Sequence, residues 1–208
     1  MMKKNVSQAE ILGGGYDPVR TRQRIVESAL ELFSKNGYNG TAVQEIAQLA
    51  ELTKGAFYHH FATKIELLLT IQMEYLDTQL EMLTPILKLN LSSEEVIEKI
   101  MTVGLEMIVS HRAHVAIFYQ ERRFFEEPIF ESVRAKRLLV ETLILNAINN
   151  GVKNKEITPE INAHLLAFCF LGMTAYSFQW YDENGALSPK EVAHQFCEIA
   201  FKGVSLQK

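Results

Sequence analysis

Lys54, Gly55, Tyr58 and His59 have types and a spacing that suggest a chemistry, because they share one face of a short stretch whose other face carries Phe57 and Phe61. The chemistry would be hydrogen bonding to an extended polar partner. Donors at the N-terminal end and no side chain at Gly55 would let the helix backbone press close to a nucleic acid. Glycine inside a helix costs roughly 1 kcal/mol relative to alanine, and close approach explains why it stands there.

Other candidate groups lead less far. His111 and His114, three apart, could ligate a metal, but no carboxylate or cysteine at ligand spacing completes a set, so histidines at a helix start are the favoured reading. His59 and His60 diverge by about 100° on a helix and form no chelate. Glu126-Glu127 is a charged pair beside a bend. The run Gly13-Gly14-Gly15 has no strand before it and no Gly-Lys-Ser/Thr after it, so it is not a phosphate loop. No Gly-x-Ser-x-Gly, His-Glu-x-x-His or Cys-x-x-Cys occurs. The sequence therefore predicts no catalytic residue, no metal site and no cofactor, and the protein is not expected to be an enzyme.

The stretch that must position the polar face runs from Thr41 to Lys64. Thr41 and Gln44 are spaced as a capping box, and Val43, Ile46, Ala47 and Ala50 follow a 3.6-residue period that breaks at Glu51-Leu52. Thr53 then supplies a second N-cap for a helix from Lys54 to Phe61. Taken alone, the pattern fits either a helix-turn-helix, whose second helix enters a major groove, or an ordinary pair of amphipathic helices.

The chain has 208 residues, 48% hydrophobic and 22% charged, room for a small domain and a larger one. Its net charge is −4. Through Lys64 there are eight Lys/Arg against six Asp/Glu, and beyond it 13 against 19, so the N-terminal part is the basic one. No signal peptide is visible and no run approaches the roughly 18 to 20 apolar residues of a membrane helix, so a cytoplasmic protein without membrane contact is expected. Cys169 and Cys197 lie in apolar stretches and read as two buried thiols.

In chain order, residues 1–18 read as a flexible tail. A helix from Thr21 to Asn36, stopped by Gly37, has Ile25, Ala29, Leu32 and Phe33 on one face. Arg20, Arg22 and Arg24 at its start could reach phosphates or could be a solvated helix end. Thr63 and Glu66 are spaced to cap a long connector with Leu69, Met73, Leu76, Leu80 and Leu83 inward. Ser92 with Glu95 opens the next helix. Further helices are expected over His111 to Arg123, Ile129 to Asn150, Pro159 to Tyr181 and Pro189 to Gly203. No run of alternating β-branched residues appears, so the fold class is all-α: a helix-turn-helix domain over 19–65 and a larger helical domain over 66–208.

The run Lys54-Gly55-Ala56-Phe57-Tyr58-His59-His60-Phe61, followed by Thr63-Lys64 and preceded by Gly37-Tyr38 and Thr41, resembles the N-terminal signature of the tetracycline-repressor family of bacterial transcription regulators. The resemblance covers Thr21 to Lys64. One departure is Glu51, where many members have glycine in the turn. The resemblance implies a ligand-responsive DNA-binding regulator, a repressor, acting as a homodimer on a palindromic operator in double-stranded DNA. It implies phosphate contacts through Thr41 and Thr53, base or nearby backbone contacts by Lys54, Gly55, Ala56 and Tyr58, and phosphate contacts by His59, His60 and Lys64. It also implies a four-helix dimer interface from the last two helices.

Such a regulator needs an input. The Met and aromatic residues of the larger domain fit either a core or a pocket, and Arg122, Arg123, Arg134 and Arg137 either solvated charges or the receptor of an anionic head group. Read as a pocket, Phe118, Tyr119, Arg122, Phe125, Arg137, Phe168, Met173 and Tyr176 are the candidate effector residues. A fatty acyl-coenzyme A is the small-molecule partner this suggests, and Phe178-Gln179-Trp180-Tyr181 with Leu187-Ser188-Pro189 resembles family members that respond to such thioesters. The rival reading is a DNA-binding adaptor without an effector, whose second domain recruits a protein.

Overall fold

The computed structural model describes residues 17–121 and 128–203, and among them every regular element is helical. Helix α1, Pro18–Asn36, starts earlier than expected because Asp17 accepts hydrogen bonds from the Val19 and Arg20 N–H groups and Pro18 takes the first helical position. Gly37, at φ 75°, ends it. Next come α2, Val43–Leu49, α3, Lys54–His60, and the long connector α4, Lys64–Leu83, which runs into a 3₁₀ turn at Thr84–Lys88.

The larger domain consists of α5, Ser93–Ser110, α6, Arg112–Gln120, a 3₁₀ turn at Pro128–Phe130, α7, Glu131–Lys153, α8, Ala163–Trp180, and α9, Pro189–Lys202. The capping boxes Ser92/Glu95 and Ser188/Glu191 form as expected. The start assigned to Pro159 does not: Asn162 caps α8 by accepting from the Leu165 N–H at 3.1 Å. Arg123, Phe124 and the pair Glu126-Glu127 lie outside the described residues, as does the triple glycine.

Two apolar cores result. The first runs from Ile25, Phe33, Phe57 and Phe61 through Leu68 and Ile71 of α4 to Ile117, Phe130 and Val133, so it continues across the boundary read at residue 65. The second lies between α5, α7, α8 and α9 around Ile97, Leu105, Ile148, Phe170 and Cys197. Helix α4 belongs to both, and this rotates its buried face from the expected stripe. Leu68, Ile71, Gln72, Tyr75 and Leu76 face inward, while Leu69, Met73 and Leu80 are only partly buried. Of the two cysteines, Cys197 is buried as expected. Cys169 is exposed, a correction that follows from its place on the outer face of α8.

Candidate nucleic-acid interface and interior cavity

Helix α3 is pinned from behind. Phe57 and Phe61 are buried with ring centroids 5.9 Å apart, and the Thr53 hydroxyl accepts from the Ala56 N–H at 3.1 Å. The face they leave outward holds Lys54, Gly55, His59 and Tyr58, with Ala56 and His60 half-buried beside them. Tyr58 is 47% exposed and sits edge-on to Phe57. A Cβ on Gly55 would find only the Thr53 hydroxyl, at 3.8 Å. The fold itself does not need glycine there, and the space is open toward the outside.

Thr41 and Lys64 stand elsewhere than the resemblance implied. Thr41 is 1% exposed and its hydroxyl donates to the Gly37 carbonyl at 2.9 Å. The N-cap of α2 is Ala42, whose N–H donates to Glu45 at 2.6 Å, not Thr41 with Gln44. A hydroxyl turned inward and already bonded has little to offer a phosphate outside. Lys64 likewise donates to the carbonyls of Tyr38 and Thr41, each at 2.7 Å, and lies 4.2 Å from the Tyr38 ring centroid. Burial lowers its pKa, against the raising effect of Glu121 and Glu45. It clamps the loop that launches α2.

In the turn Glu51 stands at φ 55°, the left-handed region that favours the glycine many family members have there. Arg24 holds this turn to α1, donating to the Ala50 carbonyl and, at 2.9 Å, to Glu51. Arg22 pairs with Glu74 of α4 at 2.5 Å and lies over Phe61. Of the three arginines read as candidates for phosphate, Arg24 ties α1 to the α2–α3 turn and Arg22 ties α1 to α4.

Glu121, the C-cap of α6, was missed in the sequence. It is 7% exposed, and its carboxylate accepts from the Tyr38 N–H at 2.7 Å across a separation of 83 residues. A lone glutamate at a helix end carries no spacing signal. The structure makes it the bond from the larger domain to the loop held by Lys64.

On its other side, α6 walls an open cavity of about 430 Å³ lined by residues of α4, α5, α6, α7 and α8. That size lies within the roughly 300–1,000 Å³ of small-molecule sites. Phe118, Tyr119 and Arg137 line it, as the sequence suggested, with the Arg137 guanidinium 3.4 Å from the Phe118 ring centroid. Arg134 also lines it and pairs with Glu131. Phe168 and Tyr176 do not line it: they are 53% and 66% exposed on the outer face of α8. Met173 packs against the second core. Arg122 and Phe125 lie outside the described residues. Helix α8 is apolar all round, so its pattern gave no phase by which to tell wall from outer face. Tyr75, by contrast, is a cavity residue that the misphased α4 stripe passed over.

Behind Tyr75, His114 stacks on the phenol ring at 5.6 Å and His111 lies 5.2 Å from His114. Burial, helped by His111, lowers the His114 pKa to about 4. Gln72, fully buried, donates to the His114 carbonyl at 3.1 Å. Gln72 Oε1 and His114 Nδ1 have no hydrogen-bond partner among the described residues.

A short braced helix with an open polar face, carried on a helical domain with its own cavity, is the build of a helix-turn-helix DNA-binding regulator. The chain belongs to the tetR family of bacterial regulatory proteins: residues 25–71 match that family's N-terminal model, and residues 90–204 match the tetracyclin repressor-like C-terminal domain. The HTH-type transcriptional repressor KstR2 of Mycobacterium tuberculosis is 25% identical over 185 residues, 88% of this chain and 92% of that protein. The structure of the ketosteroid regulator KstR2 from the same organism superposes with a TM-score of 0.79 at 24% identity, covering 89% of this chain and 95% of that one. AibR in complex with isovaleryl coenzyme A and operator DNA superposes with a TM-score of 0.77 at 24% identity over 87% of this chain and 98% of that one. The protein is a DNA-binding transcriptional regulator. No helix among the described residues is long and apolar enough to cross a membrane.

Proposed function

We propose that the protein is a repressor that binds an inverted-repeat operator as a homodimer and is released by a fatty acyl-coenzyme A. The observation that carries this is the double role of α6, whose Phe118 and Tyr119 wall the cavity while its C-cap Glu121 holds the Tyr38 N–H behind the reading helices. A ligand that displaces α6 changes the support of α2 and α3, and by linkage it must bind the displaced state more tightly. The open cavity supports an effector over the adaptor reading. The AibR complex, with isovaleryl coenzyme A and operator DNA, supports the thioester class.

In this reading Lys54, Gly55, Ala56 and Tyr58 meet base edges and nearby backbone, Thr53, His59 and His60 meet phosphates, and Thr41 and Lys64 act from behind. The dimer is supported by an apolar strip left exposed on α8 and α9, with Leu165, Phe168, Tyr176, Trp180 and Ile199. Nothing lies within 4 Å of a Cβ built on Gly172 in that strip. Two reading helices about 34 Å apart would then meet successive major grooves.

The test is selection of duplexes from a random pool by the purified protein, with and without octanoyl- or palmitoyl-coenzyme A. An enriched inverted repeat that is lost with thioester is the expected result. Enrichment that survives every thioester overturns the effector class, and no enrichment at low salt overturns the operator reading.

A further inference from the structure

We infer that Tyr75, Tyr119 and Arg137 form a cradle for one oxygen-bearing group, a carbonyl or carboxylate, on the otherwise apolar body of the effector. The inference rests on the reading of the cavity as an effector site and specifies what the wall recognises.

All three residues line the cavity, from α4, α6 and α7. The two phenol rings are fixed. Tyr75 is stacked on His114 at 5.6 Å and tilted against His111 at 5.8 Å, while Tyr119 is stacked on Phe178 at 5.1 Å with an interplanar angle of 7°. With the rings held, the hydroxyls have little freedom to turn away. Neither hydroxyl has a hydrogen-bond partner among the described residues. Tyr75 is 8% exposed and Tyr119 39% exposed, so a ligand oxygen seated against this part of the cavity wall can accept from both hydroxyls. The Arg137 guanidinium, stacked over Phe118, adds positive charge to the same wall.

The electrostatics agree with this placement. Burial pushes the Tyr75 phenol up to about 12, with Arg137 opposing the shift and Tyr119 adding to it. Tyr75 therefore remains an O–H donor at neutral pH.

Most of the remaining lining is apolar, including Ile108, Val115, Val140 and Leu171. A hydrocarbon would leave both phenols unpaired. A polyol would strand most of its hydroxyls against these side chains. An alkyl or acyl body with a single carbonyl or carboxylate matches the apolar lining and the group formed by Tyr75, Tyr119 and Arg137, while Gln79, Arg134 and Thr174 add further polar lining. Glu141, one turn along α7 from Arg137, also lines the cavity and opposes a full anion more than a neutral carbonyl. The expected order is thioester above free acid.

The test is calorimetric titration of wild type, Tyr75→Phe and Tyr119→Phe with octanoyl- and palmitoyl-coenzyme A, their S-alkyl thioether counterparts, which lack the carbonyl oxygen, and octanoate and palmitate. Phenylalanine keeps the ring stacks, and unchanged circular dichroism and operator binding confirm folding. Wild type should prefer each thioester to its thioether by about tenfold, and each variant should lose about tenfold for the thioester while holding the thioether within about twofold. Equal binding of thioester and thioether by wild type overturns the cradle, as do variants that bind the thioester like wild type. If only the free acids bind and both variants weaken them, the cradle stands on a carboxylate and the thioester effector falls. No binding of any probe to wild type overturns both.

Discussion

The reader, α1 to α3, and the cavity domain, α5 to α9, are both built from apolar helices, yet they bury polar groups very differently. In and beside the reader several polar groups have named partners: Thr41 with Gly37, Lys64 with Tyr38 and Thr41, Arg24 with the α2–α3 turn. Around the cavity, the buried Gln72 Oε1 and His114 Nδ1 lack partners among the described residues. Unpaired buried groups cost stability. The polar groups of the reader are thus engaged within the fold, while the wall behind the cavity keeps two buried polar atoms that no described residue pairs.

The largest expected effect sharpens that contrast through pH. Unfolded His114 takes up a proton below about 6.5, whereas the folded residue resists until about 4. Stability should therefore fall as pH drops through this window and level off below it, by on the order of 2–3 kcal/mol. Chemical denaturation of wild type and His114→Gln across the window should show a shallower dependence in the variant. Parallel curves would mean that His114 is not the origin.

Next in size, Tyr58→Ala should weaken operator binding by about 2 kcal/mol, roughly thirtyfold, with the dimer intact by sedimentation. Unchanged affinity would remove Tyr58 from the reading face. Glu121→Ala leaves the Tyr38 N–H buried without an acceptor and should cost about 1–2 kcal/mol of stability. It should also diminish the effect of thioester on operator affinity, and Glu121→Gln, which keeps a carbonyl acceptor, should restore much of both. A Glu121→Ala protein that responds normally to ligand would break the proposed link between the regions.

The smallest effect tests the reader alone. Gly55→Ala should raise stability by about 0.5–1 kcal/mol, since helix propensity improves and the added methyl meets only the Thr53 hydroxyl. Operator affinity should nonetheless fall. Improvement in both would mean that the α3 backbone does not approach DNA closely.

The all-α class, the helix order and the outward set on α3 were legible because they depend on local rules: caps at Thr53, Ser92 and Ser188, one-sided apolar periods in α1 to α3, and the stop at Gly37. Glu51 was legible only as a departure from glycine in the turn, and the structure places it at φ 55°. Where a helix packs on two sides the local rule fails. Helix α4 turned its face away from the expected stripe and hid Tyr75, and α8, apolar all round, sent Phe168 and Tyr176 outward although their types suggested a pocket. Thr41 and Lys64 have the residue types of phosphate ligands, and only the packed loop beneath them shows that their polar atoms are engaged within the fold.

By itself, then, the amino-acid sequence determined what each segment of 10 to 20 residues can decide alone, since caps and a one-sided period act within a few turns of chain. Tertiary structure decided what depends on residues far apart in the chain. Glu121 meets Tyr38 across 83 positions, and Tyr75, Tyr119 and Arg137 reach one cavity from three helices. Such meetings leave no spacing to read, because they are set by how helices with more than one apolar face settle against each other.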